Sequence, residues 1–381
     1  MKVAVLGYGT VGAGVYEMLH DAAGLEPGPV LVREGKASEP FMVTNIDAVL
    51  SDPEVGAVVE AMGGVEPAYS YAKEVLSSGR HFVTSNKVLV AAKGTELAAL
   101  ARSQGAAFLF SAACGGGVPL LHNLSVATGS DPILSVSGIL NGTTNFMLHA
   151  MQSRGLDYAA ALREAQDLGY AEADPTADVS GMDAARKILL ACAVAFSRLP
   201  VEGVDCEGIE SISAEDAADF MSRGLICRLI ARGVPVGDTV AAYVEPVLFG
   251  EGASERSVAY NSNMARYEGK NCGPMVFIGQ GAGRYPTASA VLRDLSCILE
   301  GRREMMPEGC VSVCADNTRE LHRYYVRADA PIGGALPVEE TLVSGETVRV
   351  VTGPVSVRVM HDYAASVRSK GGKLFYAALE V

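Results

Sequence analysis

A short apolar stretch, Lys2 to Leu6, runs directly into Gly7-Tyr8-Gly9-Thr10-Val11-Gly12 and then into a segment, VYEML onward, of helical character. Few architectures accept that order. A strand apolar on both faces belongs inside a parallel sheet, and strand, GxGxxG and helix in succession form a turn built for a dinucleotide. One glycine makes the tight turn, the next lets backbone approach a pyrophosphate, and the third allows close helix packing. The helix amino terminus then offers N–H groups and a positive dipole end to the anion, so no lysine is needed there. Because the opening residues enter a glycine-rich turn and show no cleavage-type end, they read as a strand and not as a signal peptide.

The alternation continues. Residues 55–64 (VGAVVEAMGG) form a second strongly apolar strand, residues 67–78 a helix, and residues 81–91 (HFVTSNKVLVA) a strand, a polar turn and a helix. Such a pattern implies a doubly wound parallel sheet with ligand at the carboxyl ends of its strands. The residue that meets the adenosine ribose is expected about 20 residues past the glycines, where VLVREGKAS supplies Arg33, Glu34 and Lys36. Arg33 with Lys36 suits a 2′-phosphate, whereas Glu34 suits a free 2′-hydroxyl. The residues argue both ways between NADP and NAD, and NADP is the preferred reading.

At 381 residues, with 49% hydrophobic and 20% charged, the chain suits two or three domains with sizeable cores. Its formal charge of -13 and lack of a long basic run exclude a nucleic-acid partner. No apolar segment approaches the roughly 18 residues of a membrane helix. The eight cysteines show no CxxC pair; Cys310 and Cys314 share a strand-like CVSVC. No second Cys/His pair sits at zinc spacing, so reduced thiols in a cytoplasmic protein are expected.

From Gly115 the composition changes and a second domain begins. Its densest segment, AEADPTADVSGMDAARK (171–187), crowds Glu172, Asp174, Asp178 and Asp183 ahead of Lys187. From Met182 the residues are strong helix formers, so Asp183 and Lys187, four apart, share one face. An ordinary i,i+4 ion pair would look the same. The loop before it, however, is too acidic for a core and has no apolar period, as expected of a cleft lining. Carboxylates can hold a substrate amine, and a lysine kept protonated among them can donate to the alkoxide that forms as a carbonyl is reduced.

The segment 171–187 resembles the signature of homoserine dehydrogenases, including the spacing of Gly181, Asp183 and Lys187. SNKVLVA around Lys87, GILNGTTNF (138–146) and GQGAGRYPTASAVLRDL (279–295) resemble further motifs of that family, in its order. The resemblance covers about residues 1–300. It implies an α/β chain: a Rossmann domain at 1–115, with a return at about 280–308, and an α+β catalytic and dimerisation domain at 116–279. It implies NAD(P)H-dependent reduction of L-aspartate 4-semialdehyde to L-homoserine. By the same resemblance Gly7, Gly9, Thr10, Val11 and Gly12 hold the cofactor phosphates and Gly281 closes over them. Lys187 is then the acid–base residue, and Asp183 orients it and the substrate. Glu172 and Asp178 serve the substrate amine and hydroxyl, Thr143 and Gly142 contact substrate, and Lys87 is a second candidate for proton transfer or carboxylate binding. A homodimer paired through the middle domain's sheet is expected.

Two stretches depart from that pattern. In FSAACGGGVP (110–119) a serine, Ser111, stands where the family has a glutamate that helps bind a monovalent cation. Carbonyls near Cys114, Gly116 and Val118 could hold sodium, but a hydroxyl is a poorer ligand than a carboxylate, so no bound metal is expected. Residues 319–381 offer strands at RYYVRAD and VSVRVM, a helix at DYAASVRSKG and a last strand at KLFYAALEV, with IGGALPVEE a thin candidate for the usual glycine-rich loop and helix. They read as a short, degenerate ACT-like segment without threonine feedback. Two rival functions remain in view. One is an aldehyde dehydrogenase with Cys114 as nucleophile, for which no histidine base stands out; the other is a silent cofactor-sensing protein, in which Lys187 would have no task.

Overall fold

The apolar opening run forms β1 (Lys2–Leu6), in which Val3 to Leu6 are fully buried, as a strand covered on both faces requires. Then follow α1 (Thr10–Leu19), β2 (Glu26–Leu31), β3 (Met42–Val43), β4 (Val55–Glu60), α2 (Ala68–Ser77), β5 (His81–Thr84), α3 (Lys87–Ser103) and β6 (Phe108–Leu109). All six strands pair in parallel, in the order β3-β2-β1-β4-β5-β6. The order reverses between β1 and β4, and at such a switch point an open α/β sheet presents a crevice at its carboxyl ends.

This computed structural model describes residues 1–332, 334, 336–343, 345 and 347–380. The chain divides into two compact units, the first being Met1–Ile133, Leu190–Leu199 and Gly269–Ser312 and the second Leu134–Leu189, Pro200–Glu268 and Val313–Val381. In the first, the returning helix Arg284–Leu299 lies along α1. A Cβ on Gly14 would stand 2.8 Å from Arg284 Cγ and 3.4 Å from Ala288 Cβ, so the helices meet where α1 has no side chain.

In the second unit, β7 (Ile133–Ile139) leads into α4 (Gly142–Arg154), which Asn141 caps by accepting from the Thr144 amide at 2.9 Å. Helix α5 (Met182–Phe196) starts in this unit. The hairpin of β8 (Ile226–Val236) and β9 (Thr239–Phe249) forms the middle of a sheet that includes β10 (Ser262–Gly269). β11 (Tyr324–Ala328), β12 (Val338–Val343), β13 (Val348–Thr352) and β14 (Leu374–Glu380) belong to it too, and eight of its ten strands run in the order β10-β7-β8-β9-β14-β11-β13-β12.

The domain boundaries read from sequence differ from these units. The first unit runs past 115 to Ile133 and takes in Leu190–Leu199, while segment 319–381 is not a separate domain. The reason is pairing: β14 lies parallel to β9, with Val247 opposite Ala378, so the tail extends the middle segment's own sheet. VSVRVM is also not a strand. Only Val355–Ser356 is extended; Ser356 then caps α6 (Val357–Ser369) by accepting from the Val359 amide at 3.3 Å. Between β11 and β12 no helix occurs among the described residues, and Gly333 and Ala335 of the IGGALPVEE candidate lie outside them.

Candidate active site

The crevice of the first unit holds a cavity of about 1180 Å³, lined by Gly7, Tyr8 and Gly9, by Arg33, Glu34 and Lys36 beyond β2, and by Ala61, Met62 and Tyr71 on the other side of the switch point. That size exceeds what a small metabolite fills and suits a dinucleotide. The glycines have separable reasons. Gly7 has φ +96°, and a Cβ on Gly12 would lie 1.9 Å from the Gly7 carbonyl oxygen, so the turn and helix close only around bare backbone. A Cβ on Gly9 would meet nothing within 4 Å. Protein packing does not demand a glycine there, whereas an approaching pyrophosphate does. Gly9 is the N-cap of α1, with no side-chain cap and no acidic residue in the first turn, so the residues present fit the phosphates of a dinucleotide at Thr10, Val11 and Gly12. Gly281 meets the turn after β6: a Cβ on Gly116 would stand 2.5 Å from its carbonyl oxygen.

Behind the crevice is a network that sequence reasoning missed. Glu60, fully buried at the end of β4, accepts from the amides of Met62 (2.7 Å) and Gly63 (3.2 Å) and from the Thr84 hydroxyl (2.5 Å). Asn86 donates from its amide to Thr84 Oγ1 (2.9 Å) and from Nδ2 to the Gly64 carbonyl (2.6 Å), and accepts from the Leu89 amide (3.1 Å) as the cap of α3. Lys87 is the first residue of the helix so fixed, half-buried and outside the cavity lining.

In the second unit the turn from β7 to α4 faces the start of α5. Lys187 Nζ donates to Asp183 Oδ2 at 2.7 Å and to the Leu140 carbonyl at 2.6 Å. The side chains of both ions are only 12% exposed, which removes the pair from the class of solvated surface salt bridges. Asn141 Nδ2 donates to Asp178 Oδ1 at 2.7 Å and to Asp183 Oδ2 at 2.9 Å. One amide thus joins both carboxylates while its oxygen caps α4. Burial pushes the Asp178 carboxyl above its ordinary range; the Asn141 hydrogen bond opposes that, and the Asp183 charge adds to it. Thr143 donates its hydroxyl to the Tyr170 carbonyl at 2.6 Å. A Cβ on Gly142 would stand 2.6 Å from the Asn261 carbonyl oxygen, so packing alone explains that glycine.

Asp178, Asp183 and Lys187 therefore come together, with Asn141 the member not foreseen. Its signal was present, since an asparagine at a strand-to-helix junction is the mark of an N-cap. Glu172 lies apart: its side chain is exposed and makes no hydrogen bond among the described residues. Ser111 proves to be a donor, giving its amide (2.8 Å) and hydroxyl (2.6 Å) to the fully buried Asp294, whose carboxyl burial pushes up to about 7. With that hydroxyl directed at a carboxylate, position 111 offers the loop of Cys114, Gly116 and Val118 no charged ligand. Cys114 is fully buried. The six histidines have other neighbours: Tyr16 for His20, the Ala107 amide for His81, Cys297 for His122, Tyr260 for His149, Tyr243 for His322 and Glu245 for His361.

Comparison with known proteins gives a consistent picture. The family model described as homoserine dehydrogenase matches residues 119–296, and that described as homoserine dehydrogenase, NAD binding domain, matches residues 7–111. The homoserine dehydrogenase of Synechocystis sp. is 39% identical over 313 residues, covering 77% of this chain and 72% of that protein. That of Bacillus subtilis is 36% identical over 319 residues, covering 80% and 74%. The crystal structure of a homoserine dehydrogenase from Thiobacillus denitrificans superposes with a TM-score of 0.87 at 30% identity, over 100% of this chain and 98% of that one.

Proposed function

We propose roles for these residues from one premise: the chain belongs to the homoserine dehydrogenase family. It is accordingly a nicotinamide-dependent oxidoreductase acting on a CH–OH group, interconverting L-aspartate 4-semialdehyde and L-homoserine. A nicotinamide cofactor, when bound there, would supply a hydride to the aldehyde carbon.

As the hydride arrives, the carbonyl π electrons move onto oxygen, and Lys187 Nζ gives its proton to that oxygen to complete the alcohol. In oxidation the neutral amine takes the hydroxyl proton back. Asp183, 2.7 Å away, favours the ammonium form and aims it, and the Leu140 carbonyl fixes its other side. Asp178 with Thr143 binds the substrate amine and hydroxyl, Gly142 keeps the backbone beside them free of a side chain, and exposed Glu172 adds charge attraction for the amine at the rim. Lys87 is the partner for the substrate carboxylate, with proton transfer its second possible task. The turn from Gly7 to Gly12 holds the phosphates and Gly281 covers them. Arg33 with Lys36 favours NADP, against Glu34, which would accept from the hydroxyl of NAD.

The functional form is a cytoplasmic homodimer; among the described residues no helix is long and apolar enough to cross a membrane. Segment 319–381 is the remnant of an ACT-like regulatory domain, a reading supported by the six strands and one helix found among its described residues. Threonine should give no heat of binding by calorimetry, and saturable binding would overturn that reading. The observation that carries the catalytic assignment is the low-exposure ammonium of Lys187 bonded to Asp183 inside an Asn141-bridged carboxylate cluster. The test is oxidation of L-homoserine by the purified protein with NADP and NAD in parallel, followed at the absorbance of reduced cofactor. Faster turnover with NADP is expected; binding of both cofactors without turnover would overturn the assignment.

A further inference from the structure

Three aromatic rings meet in the cavity of the first unit, each from a different segment of its wall. Tyr8 lies within the glycine turn, Tyr16 on α1, and Phe41 where the loop after β2 reaches β3. Phe41 stacks on Tyr16 with centroids 4.3 Å apart and planes 19° apart. Tyr8 sets its edge toward both, 5.9 Å from Phe41 and 6.1 Å from Tyr16.

The loop those rings close on is otherwise poorly held. Residues 33–40 are all exposed and are held by short-range bonds, such as Lys36 N to the Arg33 carbonyl at 3.0 Å and Ser38 Oγ to Met42 Sδ at 3.8 Å. A stretch with no buried side chain has no packing to fix its geometry. Yet Arg33, Glu34 and Lys36 stand on it and line the cavity. Phe41 is the first half-buried side chain after it, and backbone bonds from Val30 N to the Phe41 carbonyl (2.8 Å) and from Val32 N to the Val43 carbonyl (2.8 Å) tie β3 to β2 on either side of the stack.

We propose that the Tyr8–Tyr16–Phe41 cluster is a positioning device for cofactor selectivity, locking the charged loop 33–40 to the glycine turn. The inference rests on the reading of that loop as the adenosine-ribose reader. Telling a 2′-phosphate from a 2′-hydroxyl requires that the charges facing the 2′ position keep a set distance from the turn that grips the pyrophosphate. A ring from the turn, one from the helix and one from the loop supply that common frame. Aromatic pairs fix relative orientation, which aliphatic contacts of the same area do not.

The test measures kcat/KM with NADP and with NAD on the full chain for Phe41→Ala, Phe41→Tyr, Arg33→Ala and the double variant Phe41→Ala/Arg33→Ala. Phe41→Ala is expected to move the NADP-to-NAD ratio toward one by roughly two- to tenfold, the range that loss of an aromatic pair allows. Phe41→Tyr keeps the stack and should keep the ratio. The double variant should match Arg33→Ala alone, because both changes then act on one recognition event. Equal losses with the two cofactors in Phe41→Ala, or an additive double variant, would overturn the proposal while a shifted ratio in Arg33→Ala kept the ribose reading intact. A ratio moved by Phe41→Ala and not by Arg33→Ala would support the cluster and refute the role of Arg33, and no shift in either would overturn both.

Discussion

Replacing Asn141 by aspartate changes one atom's chemistry and almost nothing else, which makes its cost readable from the structure. The cap on α4 should survive, because an aspartate oxygen can accept from the Thr144 amide as Asn141 Oδ1 does at 2.9 Å. What is lost is the donor to Asp178 at 2.7 Å and to Asp183 at 2.9 Å. Hydrogen bonds to charged groups are worth about 1.5–3 kcal/mol each, so their loss costs about 3–6 kcal/mol, before repulsion among three carboxyls is added. The new carboxyl, crowded by two others and 4% exposed at the parent position, has its folded pKa raised above its unfolded value. Its favourable contribution is therefore full at low pH and lost as pH rises through the folded value. Urea unfolding should show Asn141→Asp destabilised by at least about 3 kcal/mol at pH 8, with part of that regained at pH 5.5 as a protonated carboxyl donates to one neighbour. Homoserine oxidation should fall about 100-fold or more, since the frame around the Lys187 ammonium is disturbed. A variant within about 0.5 kcal/mol of the parent at pH 8 would refute the bridging role, because the two bonds would then contribute less than a typical surface change.

Three further outcomes follow from the geometry. Lys187→Ala should lower kcat by about 10²- to 10⁴-fold while cofactor affinity, followed by fluorescence quenching, stays unchanged; parallel loss of both would remove the acid–base role. Gly12→Ala forces a Cβ to within 1.9 Å of the Gly7 carbonyl oxygen, so cofactor affinity should drop at least about tenfold, and a titration within twofold of the parent would show that the turn can yield. Asp294, with its carboxyl raised to about 7, stabilises the fold fully below the ordinary aspartate value of 3.8 and loses that contribution as pH rises through about 7. Asp294→Asn, which can still bond Ser111, should remove this fall, worth at most about 4 kcal/mol by the pKa difference, and a melting-temperature profile equally steep in both proteins would refute it.

The first unit was largely legible because its strands are apolar on both faces and its turn chemistry is local. Lys2–Leu6, the glycines and the helix after them form one contiguous stretch, and the parallel order follows from alternation. The Asp183–Lys187 ion pair was legible for a similar reason, its members being one helical turn apart. Asn141 was harder to see. It stands 42 positions before Asp183, and only the fold puts its amide between two carboxylates. Glu60, Thr84 and Asn86 were hidden likewise, each polar at the end of a strand or start of a helix and joined only across neighbouring strands.

The tail failed to read correctly for a different physical reason. Alternating valines in VSVRVM satisfy a strand pattern, but Ser356 can accept from the Val359 amide, and a capped helix satisfies backbone that a further strand would have to pair elsewhere. Nor does any local signal say that β14 will seek β9, since their paired residues are 131 positions apart at Val247 and Ala378. That pairing ties the tail to the middle segment's sheet. Its inner strands are nearly inaccessible, with Tyr324, Phe375 and Tyr376 fully buried, because they continue an existing sheet and share its core. An independent domain of about 60 residues would have had to bury as much by itself, and at that size a single core is only marginally stable. The tail's strands therefore have a structural reason to stay: β14 covers the stretch of β9 from Val247 to Phe249, which would otherwise be an unpaired edge.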